Sequence, residues 1–473
     1  CDWSSDVCSS DLLRNSTTGN FNTAIGSSSL GKTTTGSSNV GLGSMALYSN
    51  TTGQRNVAVG YQAGYNVTTD TNNAFLGYRS GYSFNAATGT NTNNTFLGHQ
   101  TGYGTTTGVN NTYVGYAAGP NNASTGGDNA GFGVLALYGL TSGNYNTALG
   151  NYALQANTTA SNNTAVGYQA AYTNATGSRI TAVGFQAGYT SAVVSANAFN
   201  TYLGYQAGYY DATGIHNTFL GYASGPNTTS SASGSYNTAI GSLSGIAMTS
   251  GSNNTSLGYQ ALQANTTANN NTAVGYQAGY SNTTGAYNVF NGMQSGYSNT
   301  TGASNTNIGY AANFSNSTGS YNVAIGHQSL NSNTASYNTA VGYSTLYQST
   351  GAVNTAVGFY ALGSNTTGTE NVAVGASDNV NYSAALGNNT TGTKNTAVGN
   401  AALANNTTAS NNTAVGYQAG YSNVTGASLT LVGYQAGYTN TASTLTAVGF
   451  QTDRKSTRLN SSHTDISRMP SSA

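Results

Sequence analysis

The sequence predicts an all-β chain: a parallel β-solenoid (a β-roll or β-helix) of about 26 short coils with a period of about 17 residues. Three observations carry that prediction. The segment "NNTAVGYQAGYSNTTG" at Asn270–Gly285 returns as "NNTAVGYQAGYSNVTG" at Asn411–Gly426, and looser copies fill the rest of the chain. Aligned on the glycine of "AVG", these copies form a ladder from Gly26, Gly43, Gly60, Gly77 and Gly98 to Gly416, Gly433 and Gly449. Most of its steps are 17 residues, with others of 16, 18, 20 or 21. A fixed short period without a helical pattern is the mark of a solenoid with one coil per repeat. The third observation is composition. Only 4% of the 473 residues are charged and 3 are proline, against roughly 25% charge in ordinary soluble domains. Disordered chains usually carry charge and proline and lack regularly placed aliphatics. Such a neutral, Asn/Thr/Tyr-rich chain suits stacked β coils, where backbone pairing does most of the work.

Each part of the repeat has a physical reading. The residue before the ladder glycine is nearly always aliphatic: Ile25, Val59, Leu76, Val114, Val166, Leu220, Val274, Ile325 and Val415. This column is expected to be the buried core ladder. The preceding residue (Ala24, Phe75, Phe96, Tyr113, Ala165, Phe219, Ala273) then points to the opposite face, because neighbouring strand residues alternate. Four before the glycine, Asn recurs (Asn22, Asn56, Asn94, Asn163, Asn271, Asn412). Stacked amides hydrogen-bond along such a ladder, and Asn tolerates the left-handed turn conformation. Beyond the glycine, either Gly-Tyr follows (Gly64-Tyr65, Gly188-Tyr189, Gly279-Tyr280, Gly437-Tyr438) or Leu takes the second glycine's place (Leu47, Leu154, Leu262, Leu362, Leu403). The expectation is one cavity, filled by Leu or by Tyr swung in past a bare glycine. "NTTG" closes the coil, its Gly supplying a positive φ.

About 26 coils at roughly 4.8 Å each predict a stack on the order of 120 Å. The longer steps place bulges on turns. Two 12-residue steps, Gly375 to Gly387 to Gly399, predict irregular coils near 375–399 and the likeliest kink, and Asn291 in the aliphatic column reads as another fault.

The ends differ from the repeat. Cys1, Cys8 and Trp3 fall within residues 1–12, and Arg454, Lys455, Arg458 and Arg468 within 453–473. "DRKSTRLNSSH" (Asp453–His463) and "DWSSDVCSSD" (Asp2–Asp11) can be encoded by opposite strands of one DNA segment, which resembles a sequencing-library adapter. Residues 1–12 and 453–473 are therefore read as an artefactual leader and tail, and 13–452 as the solenoid. The cysteines then say nothing about redox compartment, and the gene is expected to continue beyond both ends.

Function classes fall away on residue content. No basic patch offers the electrostatic footprint of nucleic-acid binding, and no apolar run approaches a membrane span. His99 and His327 stand in the column otherwise held by Tyr61, Tyr168 or Tyr276. The carboxylates Asp70, Asp128, Asp211, Glu370 and Asp378 are scattered over distant coils. No catalytic triad, metal site or cofactor site is expected. "GLGSMA" from Gly41 and "GFGVLA" from Gly131 imitate a dinucleotide fingerprint, but their second glycine is only the ladder glycine. Tyrosine is in excess, 36 in all. Tyr61, Tyr78, Tyr116, Tyr168, Tyr205, Tyr276 and Tyr310 form either an exposed adhesive stripe, suited to glycan or protein contacts, or a packed column that stabilises the stack.

The pattern N-x-x-A-[VIL]-G-x-x-[AS], followed by a turn ending in Gly, resembles the head repeats of YadA-like trimeric autotransporter adhesins across residues 14–452. The resemblance implies a left-handed β-roll, three chains side by side, and a non-enzymatic surface fibre or adhesin head, extracellular on a bacterial cell. Its ligand would be a host-surface protein or glycan. Those heads commonly use a shorter repeat, and the tyrosine-bearing segment here departs from them. Similar repeats also look like shafts of phage tail-fibre proteins, which implies a virion location instead. A structural solenoid with no adhesive role is the third reading.

Overall fold

The computed structural model describes residues 15, 17–87, 89, 91–191, 197–228, 232–376 and 384–454. The adapter-like leader 1–12 and the tail from Lys455 on lie outside the described residues, as does Asp378. The chain divides into two compact units. One ends at Ser242 and takes in Ala247–Ser250; the other holds Leu243–Ile246 and the chain from Gly251 on. The first carries strands β1 (Thr23–Ile25) through β13 (Thr238–Ile240), the second β14 (Thr255–Leu257) through β25 (Thr446–Val448). Each strand is three residues long and follows its predecessor by one coil. Within each unit the strands pair in parallel and in register, as in Thr272↔Val289, Ala273↔Phe290 and Val274↔Asn291. Each unit is thus a parallel β-solenoid with the predicted period.

Why a strand of only three residues forms is plain from "TAV". β-Branched residues at its first and third positions favour extended backbone, and the glycine that follows ends it. Gly275 sits at φ +136, and a Cβ there would come within 2.6 Å of the Gly292 carbonyl oxygen of the next coil. Side chains cannot occupy that bend, so glycine recurs at every step.

Parity decides the interior, and it reverses one expectation. The middle strand residue points inward: Ala58, Phe75, Ala165, Ala273 and Phe290 are fully buried. The expected core ladder points outward. Ile25, Leu220 and Val415 are exposed, while Val59, Leu76, Val114, Val166, Val274 and Ile325 are half-buried. Aliphatic recurrence signalled strand propensity and coil-to-coil stacking, not burial. Asn291 is accordingly no fault, because its column faces out and its strand pairs in register on both sides.

The interior is packed by volume complementation. Leu262 lies buried on the turn of its coil. Where the strand centre is aromatic, the turn column is glycine in that coil and the one before. A Cβ on Gly279 would lie 2.5 Å from Phe290 Cδ2 and 3.0 Å from Leu262 Cδ2. Gly64 and Gly81 flank Phe75 in the same way, and Gly420 and Gly437 flank Leu431. The filler is therefore the strand-centre aromatic. It is not the following tyrosine, since Tyr65, Tyr189, Tyr280 and Tyr438 stay half-buried. One coil solves the problem with polar groups: Asn313 Nδ2 donates to Asn307 Oδ1 at 3.2 Å, both side chains buried.

Because the cross-section holds mostly alanine, hydrogen bonds carry much of the cohesion. The Asn ladder runs as expected. The Asn288 N–H donates to Asn271 Oδ1 at 2.9 Å, and Asn271 Nδ2 donates to the Gly285 carbonyl at 2.9 Å. The left-handed residue is the one before it, Asn270 at φ 59. A second ladder uses the Asn of "NTTG", as where Asn299 donates to Asn282 Oδ1 at 2.7 Å. The glycine of that turn has an ordinary φ rather than the expected positive one, and Ala160, Ala268 and Ala409 take its column.

Longer steps are absorbed in turns. Between Gly77 and Gly98 the flanking strands stay in register, and pairing resumes with Asn85 N–H donating to Thr106 O and Thr92 N–H to Thr71 O. The two 12-residue steps are one coil. Val372 pairs directly with Thr396, and Leu386, beside Gly387, occupies the buried turn column, its N–H donating to Ala402 O. Hydrogen bonding from Leu362 to Ala385 and from Thr366 to Thr390 continues past it. Gly387 is no ladder glycine, and this coil is enlarged rather than truncated.

Candidate interaction surface

Among the described residues the interior columns are filled by Ala, Leu, aromatic and Asn side chains, and the repeat turns its other positions outward. In the coil Asn271–Tyr287, Thr272, Tyr276, Thr284 and Tyr287 are exposed and Val274 is half-buried. Repetition in register turns each of these positions into a column.

The aliphatic column and its Thr neighbours cover the outer sheet face. Leu97, Leu149, Leu203 and Leu257 join Ile25 among its exposed members, at 42–52%. Beside it stand the predicted tyrosines. Tyr61, Tyr78, Tyr116, Tyr168, Tyr205, Tyr276 and Tyr310 are 39–53% exposed. They are also stacked. Tyr61, Tyr78, His99 and Tyr116 follow at centroid spacings of 5.6, 4.9 and 5.3 Å, with interplanar angles of 14–17°. His327 stacks between Tyr310 and Tyr343, so both histidines serve as ring substitutes. Stacking covers the ring faces and leaves edges and hydroxyls toward solvent. Sugar rings dock on aromatic faces, so within a stack that mode is closed, and free faces remain only at stack ends.

Two further aromatic columns stack on the surface; the first was expected to fill the interior, and the second was not assigned from sequence. One is the half-buried set Tyr48, Tyr65, Tyr82 and Tyr103, stacked at 5.2–5.3 Å. Tyr65, Tyr82 and Tyr103 follow the turn glycine and Tyr48 follows Leu47 in the same position, and the "GY" dipeptide was the available signal. The other precedes the Asn ladder and includes Tyr145, Tyr236, Tyr287, Tyr321 and Tyr337, all 55–66% exposed. The recurrent "YN" marks it. His216 belongs here, stacked between Phe199 and Tyr236.

Some of the few cations rest on these rings. Lys32 Nζ lies 4.8 Å from the Tyr48 centroid. The Arg79 guanidinium lies 5.4 Å from both Tyr78 and Tyr82, and its Nε donates to Gln62 Oε1 at 2.9 Å. Glutamines next to the tyrosine column form amide ladders, Gln206 to Gln186 to Gln169 at 2.9 and 2.8 Å.

The acids stay apart. Asp128 is an exposed acceptor for Asn110 at 3.0 Å, and Asp70 and Asp211 are buried. Asp211 accepts hydrogen bonds from the Tyr202 hydroxyl and Asn217 Nδ2, each at 2.9 Å, and from the Gly214 N–H at 3.2 Å. Burial pushes its carboxyl up to about 6, against the lowering effect of these donors. Among the described residues no three of His, Cys, Asp or Glu come together as a metal cluster, and no helix is long and apolar enough to cross a membrane. No family model matches this sequence, and no curated protein matches it.

Proposed function

We propose that the chain is part of a non-enzymatic surface fibre, an adhesin head of the trimeric autotransporter kind, that presents a repetitive binding surface outside a bacterial cell. The observation that carries this reading is the outer sheet face. Coil after coil in each unit, it repeats an uncharged column of Val, Leu and Ile beside Thr, a pattern that exposed apolar surface reserves for contacts with other chains. Three copies related by symmetry would cover that column and leave the Tyr edges outward. Many weak contacts in parallel would then supply affinity for a host protein or glycan.

One observation favours a second reading, a tail-fibre shaft or a structural solenoid without adhesion. Rings stacked on each other are already satisfied, and their role is complete without a ligand. A long sequencing read across the locus discriminates between the two. A coiled coil and a terminal membrane barrel downstream support the adhesin. A chaperone-like terminal domain among virion genes assigns the chain to a tail fibre, and the adhesin reading falls.

A further inference from the structure

We propose that Tyr321 and Tyr337 are a site of oxidative cross-linking, in which a peroxide-driven one-electron oxidant joins two successive coils through a dityrosine bond. The inference does not rest on the fibre reading; it needs only the stack and the oxidant.

The two rings lie 5.1 Å apart, centroid to centroid, at an interplanar angle of 6°. They are 56% and 59% exposed, so an oxidant reaches both. The pair is discrete, because the same column holds Ser304 one coil before and Val353 one coil after. Parallel pairing in register holds the two coils, with Val323↔Thr339 close by. A radical on one ring therefore has one partner in place, and proximity replaces a bimolecular encounter. The column supplies its own control. Tyr145 and Tyr287 are 62% and 66% exposed, but their column neighbours are Asp128 and Asn162, and Asn270 and Ser304. They offer equal access and no partner ring.

The step balances. Each phenol gives up one electron and its hydroxyl proton to become a phenoxyl radical. The two radicals form a carbon–carbon bond between ring positions ortho to oxygen. The two ortho hydrogens then move to the oxygens, which restores both phenols. In sum two tyrosines lose two electrons and two protons, and one hydrogen peroxide accepts them as its O–O bond breaks to give two waters. The repeat region has no cysteine, so this bond would supply the staple between coils that a disulfide supplies elsewhere.

The test treats the full chain with a peroxidase and hydrogen peroxide, separates the chains on a denaturing gel, digests the monomer band and maps linked peptides by mass spectrometry. The expected product is a peptide pair holding Tyr321 and Tyr337, lighter by two hydrogens, in a yield unchanged on dilution. Tyr145 and Tyr287 should be absent from intrachain links. Tyr337→Phe should abolish that pair and leave links at other stacks; Tyr321→Phe should do the same and guards against a folding defect in the first variant. The proposal is overturned if no such pair forms. It is also overturned if the pair occurs only in chain dimers, if its yield falls with dilution, or if Tyr287 links as readily.

Discussion

Asp211 shows how one residue can set the pH response of a nearly uncharged chain. It occupies the column that Asn282 and Asn299 fill elsewhere, and the Tyr202 hydroxyl reaches down to it from the strand centre. Because burial raises its folded-state value to about 6 from 3.8, the carboxyl favours folding when neutral. Its contribution is fully present below the unfolded value and is lost as pH rises through about 6. The first unit should therefore be less stable at pH 7.5 than at pH 4 by up to about 3 kcal/mol. Asp211→Asn should flatten that slope and stabilise the unit at neutral pH, as read from urea midpoints across pH. An unchanged slope would remove Asp211 as its source. Gly279 belongs to the same scale. A methyl there meets Phe290, so Gly279→Ala should cost about 1–3 kcal/mol. That penalty should shrink in a Phe290→Ala background, and equal costs in both backgrounds would contradict the complementation between them.

At the scale of the strand, inside and outside differ by one residue. Ala273→Asp buries an unpaired charge and should cost about 4 kcal/mol or more, opening its coil to proteolysis and hydrogen exchange. Val274→Asp points to the outer face and should leave coil protection in a single chain nearly unchanged. Protection lost in the second variant and kept in the first would invert the assignment. The period, the strand position, the Asn ladder and the ring role of His99 and His327 were legible in the sequence, because each leaves a recurrent letter in one column. The facing of a three-residue strand was not. Alternation says that Ala273 and Val274 point oppositely, but with so few residues no pattern of polarity says which is inside. Here the more hydrophobic column is the outer one. The 24-residue spacing of Val372 and Thr396 misled for a similar reason: Gly387 fell at its midpoint and imitated a ladder glycine, whereas the strand register skips it.

Across the whole chain, the tyrosine stripe was legible as a column, but its state was not, since exposure and stacking both hold. Tyr61 and Tyr78 are exposed at the edge and covered on the face. That combination leaves the outer Val, Leu and Ile column as the apolar surface still without a partner, and the proposed homotrimer is what would cover it. Stability would then depend on protein concentration, and Val274→Asp, mild within one chain, should weaken assembly. The most direct measurement is the molar mass of the full chain in solution by light scattering. The trimer account predicts three times the 47.8 kDa of one chain. A folded species of 47.8 kDa that persists at high protein concentration would contradict it.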